Sequence, residues 1–135
     1  MALGTTNSLI AIQTKGKVPS LPFVAIAEAI LGKKYELSIV FATKKESQTL
    51  NNQYRGKNYP TNVLSFPLSK NAGEIVMHLP TAKKEAPNFG IPYADFVGYL
   101  FIHGLLHLKG FDHGSTMEQR EKFWLRKFNF AQPNQ

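Results

Sequence analysis

Hydrophobic spacing along the chain switches repeatedly between two periods, and the switches mark its elements. Asn7 to Gln13 reads as a short strand. Between about residues 20 and 31, Phe23, Ile26, Ala27, Ile30 and Leu31 recur at helical spacing, with Gly32 as the stop. From Tyr35 to Phe41 the period falls to two, so Tyr35, Leu37, Ile39 and Phe41 share one face of a half-buried strand. Thr43-Lys44-Lys45-Glu46 has the form of a capping box and opens a second helix that ends near Gly56. Asn62 to Phe66 and Glu74 to His78 predict two further strands, joined by a turn from Pro67 to Gly73. A short helix follows Pro80. From Pro92 to Leu108 runs a helix apolar nearly all round, which marks it as the buried central one. Ser115-Thr116-Met117-Glu118 is read as another capping box, starting a last helix that carries Phe123, Trp124 and Phe128.

Strands that mix with helices, and helices gathered late, predict an α+β fold: one small mixed sheet of about four strands packed with about five helices. At 135 residues, with no internal repeat and no linker, residues 1–135 are read as one domain with a hydrophobic core of its own. There is no cysteine, so disulfide partners and thiolate metal sites are excluded, and a metal must bind through nitrogen or oxygen. The first residues lack the basic and apolar regions of a signal peptide, and no apolar run approaches membrane-spanning length. These features point to a soluble, cytoplasmic protein with no membrane partner. Sixteen Lys and Arg against nine Asp and Glu give a formal charge of +7, in scattered pairs such as Lys33-Lys34 and Lys83-Lys84. Such a field attracts polyanions, nucleic acid first among them, although many small basic proteins are merely soluble.

Candidate chemistry concentrates in one stretch. His103, His107 and His113 are three of the four histidines, at offsets 0, 4 and 10. His103 and His107 lie on one face of a helix. Gly110 can take the left-handed backbone that ends the helix, and the chain then folds back to bring in His113. Three imidazoles leave one position of a tetrahedral ion open, as catalytic zinc sites do, so one Zn2+ is the expected ion, with nickel, copper and iron as chemical alternatives. Asp112 either orients an imidazole or the bound water from behind, or merely caps the local turn. The offsets equal those of the metzincin proteases, which place a glutamate general base directly after the first histidine. Here that position is Gly104. A peptidase would lose its proton shuttle, so protease is the lesser reading. The fourth histidine, His78, falls on a strand outside the cluster and reads as ordinary surface or core.

A second informative stretch runs from Asn51 to Pro67: a helix end, a basic glycine turn and a strand. Arg55 offers a planar fork that can hold a phosphate, and Lys57 adds a second charge. Taken alone, Arg55 reads first as an exposed residue favoured by a helix C-terminus. Tyr54-Arg55-Gly56-Lys57, then Pro60-Thr61-Asn62-Val63-Leu64-Ser65-Phe66-Pro67, together with His103-Gly104-Leu105-Leu106-His107 and Gly110-Phe111-Asp112-His113, resemble the YbeY family of endoribonucleases. The resemblance covers roughly residues 35 to 128. It implies an α+β fold, one metal, usually zinc, on the three histidines, and a functional arginine at Arg55 beside the metal cleft. It further implies single-strand-specific cleavage of RNA in maturation of ribosomal RNA, notably at the 3′ end of the 16S molecule, and in ribosome quality control. RNA and the small ribosomal subunit with its proteins are the partners it suggests. The chain departs from the family pattern at Asn58, Glu74 and Phe111, and it lacks most of an acidic run after the third histidine. No side chain stands out as general base, so metal-activated water, Asp112 and the RNA 2′-hydroxyl all remain open. Two rival readings are a ribosome-associated assembly protein with a structural metal and a metzincin-like metalloprotease.

Overall fold

The computed structural model describes residues 9–13 and 16–134. Four strands, β1 (Ile10–Gln13), β2 (Glu36–Phe41), β3 (Val63–Ser69) and β4 (Ala72–Met77), form one sheet in the order β1-β2-β4-β3. β1, β2 and β4 run parallel, and β3 pairs antiparallel with β4 at the edge. Five helices accompany them: α1 (Phe23–Leu31), α2 (Lys44–Arg55), α3 (Leu79–Glu85), α4 (Tyr93–Leu108) and α5 (Ser115–Lys127). The fold is thus the mixed-sheet α+β arrangement that the hydrophobic pattern predicts. Residues 7 and 8 of the first expected strand lie outside the described residues.

Period-two spacing sets the sheet. Leu37, Ile39 and Phe41 of β2 point with Val63, Ile75 and Met77 into the main core, while Leu64 and Val76 are buried on the opposite face. α4 runs through the middle of the molecule, touching β3, β4, α1, α3 and α5. Phe96, Phe101, Leu105 and Leu106 are fully buried along it. Burial of a side chain of this size is worth about 1.5–3 kcal/mol. A helix buried on most of its circumference is held rigidly, which is why it can present ligands with precision. Among the described residues no single helix is long and apolar enough to cross a membrane.

Three boundaries differ from the sequence pattern, each for a physical reason. α1 begins at Phe23 rather than near residue 20, with Pro22 as its N-cap; Leu21 precedes that proline and is disfavoured from helical backbone. β3 and β4 extend well into the expected turn, leaving only Lys70 and Asn71 between them. Pro67 is tolerated inside β3 because the strand is an edge, and the pairing is irregular between Pro67 and Ser69. The capping box expected at Ser115 does not form. Gly114 is the N-cap of α5, and its carbonyl accepts from the Glu118 N–H at 3.0 Å, the donor that the Ser115 hydroxyl would have taken. The box at Thr43 does form: the Thr43 hydroxyl accepts from the Glu46 N–H at 3.1 Å, and the Thr43 N–H donates to the Glu46 carboxylate at 2.8 Å.

Candidate metal centre

α4 supplies two of the three histidines from one face, and its end supplies the turn to the third. The helix stops at Leu108, and Gly110 takes a φ of 106°, backbone that favours glycine. The Gly110 and Phe111 N–H groups donate to the carbonyls of His107 and Leu106, closing the turn. His113 is thereby folded back, its ring centroid 5.2 Å from that of His103 and 4.7 Å from that of His107. One nitrogen from each of the three rings lies within 4.8 Å of the other two, so the three residues could hold one metal ion.

Hydrogen bonds behind two of the rings fix which nitrogens face the centre. The Glu121 carboxylate can only accept, so His103 donates to it through Nδ1 at 2.5 Å. His107 Nδ1 likewise donates to the Phe111 carbonyl at 3.0 Å. In neutral rings both Nε2 atoms then carry lone pairs, and these face each other across 3.1 Å. Two lone pairs at that distance repel unless they share a cation. Two zinc–nitrogen bonds of about 2.0–2.1 Å at a tetrahedral angle separate the nitrogens by roughly 3.3 Å. The donor set therefore fits a metal. Burial holds His107 below the usual imidazole range, and charge on His103 or His113 pushes it the same way, while the Phe111 carbonyl and Asp112 oppose the shift.

The histidines share a cleft of about 450 Å³ with Arg55, Asn62, Val63, Ser65, Phe89, Tyr99 and Leu100. Arg55, the last residue of α2, comes from 48 positions upstream of His103, and local bonding explains how it arrives there. The segment after α2 is tied back to the helix. The Ser47 hydroxyl donates to the Thr61 carbonyl and accepts from its N–H, both at 3.0 Å. The Asn51 amide donates to the Tyr59 carbonyl at 2.8 Å, and the Gln48 amide donates to Asn58 at 3.1 Å. These bonds hold the C-terminal end of α2 beside the start of β3. Lys57 is exposed and does not line the cleft. Asp112 is also exposed, and its charge reaches His107.

Two residues at the site escape the reading of the sequence. Glu121 is 7% exposed and is the carboxylate that holds His103. Its signal was present: Met117, Glu121 and Leu125 recur four apart, and all three are buried. An acid within a buried stripe asks for a partner. Tyr99 stands four residues before His103 on the same face of α4, with ring centroids 6.1 Å apart. Burial, then the charges of Glu121 and Glu118, push its phenol up to about 12, so it stays protonated. His78 is buried outside the centre, its Nδ1 2.7 Å from the Thr81 hydroxyl at the start of α3.

Gly104 has a packing cause. A Cβ there would lie 2.9 Å from the Ser65 hydroxyl and 3.3 Å from Ile75 Cδ1. Ser65 also donates to the Gly104 carbonyl at 2.9 Å, locking α4 against β3. The position where a metzincin carries its glutamate has no room for a side chain.

Residues 13–130 match the model of the family described as endoribonuclease YbeY. A protein named endoribonuclease YbeY from Paraburkholderia phymatum is 34% identical over 129 residues, 88% of this chain and 84% of that protein. Proteins of the same name from Syntrophus aciditrophicus and Persephonella marina are 40% and 42% identical, over 60% and 64% of this chain. Those two alignments span only 56% and 61% of the relatives' own length. Among solved structures, the solution structure of TM1509 from Thermotoga maritima superposes with a TM-score of 0.66 at 28% identity, covering 88% of each chain.

Proposed function

The chain belongs to the YbeY endoribonuclease family, and from that premise we propose that it is a metal-dependent endoribonuclease that cuts single-stranded RNA. The observation that carries the reading is the shared cleft: a guanidinium and three convergent imidazoles line one opening. That pairing suits a phosphodiester, whose transition state gathers negative charge on the phosphoryl oxygens.

His103, His107 and His113 hold the ion, and zinc is the proposed metal because three imidazoles with an open position suit it. When bound, it supplies Lewis acidity and activates water near neutral pH. Glu121 and the Phe111 carbonyl keep two of the ligand rings in the tautomer that presents Nε2. Arg55 neutralises the charge developing on the phosphoryl oxygens. Lys57 holds the strand outside the cleft, and Asp112, whose charge reaches His107, orients water or an imidazole. The +7 charge draws the polyanion in and makes binding salt-sensitive. The substrate we propose is ribosomal RNA, at the 3′ end of the small-subunit molecule and in ribosome quality control, with the small ribosomal subunit as partner and the cytoplasm as location. One domain does all of this.

Purified protein, with and without chelator, is incubated with single-stranded and duplex RNA. His107→Ala should lose metal and cleavage together. Arg55→Ala should keep its metal while turnover falls by about 10²–10³-fold. Cleavage that survives complete metal removal would overturn the proposal. Metal-loaded protein that binds RNA without cutting it would favour the assembly-protein reading.

A further inference from the structure

Arg55 and Ser65 both line the cleft, and each is followed or preceded in sequence by an aromatic residue that does not. Tyr54 stands before Arg55 on α2, and Phe66 stands after Ser65 on β3. The two rings meet with centroids 4.8 Å apart, tilted by 59°. The Cα atom of each lies about 3.8 Å from that of a residue lining the cleft. Strand alternation turns Phe66 to the face opposite Ser65, so the pair sits around the β3 edge from the metal centre.

Packing does not account for the exposure. Tyr54 remains 65% exposed although it touches Phe66, so much of its ring surface is left to solvent. A large open aromatic surface beside a phosphate-binding cleft suits single-stranded nucleic acid, whose unstacked bases lie on aromatic faces. Arg55 and Lys57, one and three residues after Tyr54, supply charge complementary to the backbone of such a strand.

We propose that the Tyr54–Phe66 pair is a stacking platform for a nucleobase flanking the phosphate held by Arg55, and that this platform makes the site selective for single strands. The proposal rests on the nuclease reading above. A paired base keeps both faces stacked within its helix and cannot lie on Tyr54. β3 lies at the sheet edge, so a strand can pass over it from cleft to platform without crossing another strand.

The test combines variants of the protein with abasic substitutions in the RNA. Affinity for a fluorescein-labelled single-stranded oligonucleotide is measured with the His107→Ala protein, which should not cut it, for Tyr54, Tyr54→Phe, Tyr54→Leu and Tyr54→Ala. Tyr54→Phe should bind as the parent does. Tyr54→Leu, which preserves apolar packing on Phe66, and Tyr54→Ala should each lose on the order of tenfold. An abasic nucleotide is then moved along the oligonucleotide. At one position within about two nucleotides of the cut made by active protein, its effect and that of Tyr54→Leu should not add. Equal affinity of Tyr54→Leu and the parent, or additive losses at every abasic position, would overturn the platform while leaving the nuclease intact. Failure of the metal-loaded protein with all three histidines to bind or cut single-stranded RNA at all would overturn both readings.

Discussion

Glu121→Ala is the most informative perturbation, because it removes a carboxylate that touches no substrate. In the protein, Glu121 is 7% exposed and accepts from His103 Nδ1 at 2.5 Å. Alanine there leaves a half-buried N–H without its acceptor, and the His103 ring is freed both to rotate and to change tautomer. A lone unsatisfied donor costs about 1–3 kcal/mol. Loss of such a partner behind a metal-binding histidine typically weakens the metal by about 10–100-fold, or roughly 1.4–2.8 kcal/mol. The two magnitudes agree, so a drop of that size is expected. Glu121→Gln keeps an oxygen acceptor but loses the charge; a charge-assisted bond is about twice as strong as a neutral one, so its loss should be the smaller. Metal affinity is read by competition against a chromophoric chelator at fixed pH. In parallel, the melting temperature is recorded with and without metal, since a ligand bound only to the folded state raises it by an amount that grows with the logarithm of its affinity. The metal-induced rise should shrink in Glu121→Ala. An affinity within twofold of the parent would refute the role given to Glu121. So would a loss in Glu121→Gln as large as in Glu121→Ala.

Acidification should destabilise the metal-free protein. His78 and His107 both have folded pKa values below the usual imidazole 6.5, chiefly through burial. Between those lowered values and 6.5 the unfolded chain binds more protons, so stability is complete above 6.5 and is lost as the pH falls through the window. Urea midpoints at pH 7.5 and 5.5 measure this, and an equal or higher midpoint at 5.5 would contradict it. Gly104→Ala tests the close approach of α4 to β3. In an exposed helix the change would gain about 1 kcal/mol, but a Cβ 2.9 Å from the Ser65 hydroxyl should reverse the sign and cost about 1–3 kcal/mol. Chemical denaturation decides, and a stabilised variant would refute the packing argument. Ser47→Ala removes both bonds to Thr61; it should cost about 1–2 kcal/mol and lower turnover on RNA without changing metal content. Unchanged turnover would show that Arg55 is positioned without that tether.

Sequence alone determined what depends on neighbours in the chain. Period-two spacing at Tyr35, Leu37, Ile39 and Phe41 requires one face of a strand, and the structure buries all four. Offsets of 0 and 4 place His103 and His107 on one helical face because the α-helix repeats every 3.6 residues, and Gly110 supplies the backbone that brings His113 back. Even the absence of a glutamate at Gly104 was legible, although its cause was not. That cause, the Ser65 hydroxyl under the helix, belongs to a residue 39 positions away. Only the tertiary structure decided the insertion of β4 between β2 and β3, because register and strand order follow from long-range pairing that no local period encodes. Long-range contacts likewise decide the site: the bonds from α2 to Tyr59 and Thr61 bring Arg55 to the histidine cleft, and the packing of α5 on α4 lets Glu121 meet His103. Ser115 failed as a cap for a local reason instead: the Gly114 carbonyl, four residues before Glu118, takes the donor it needed. Chain-local periods thus specify which residues face the same way, whereas the packing of α4 on the sheet and of α5 on α4 specifies what they face.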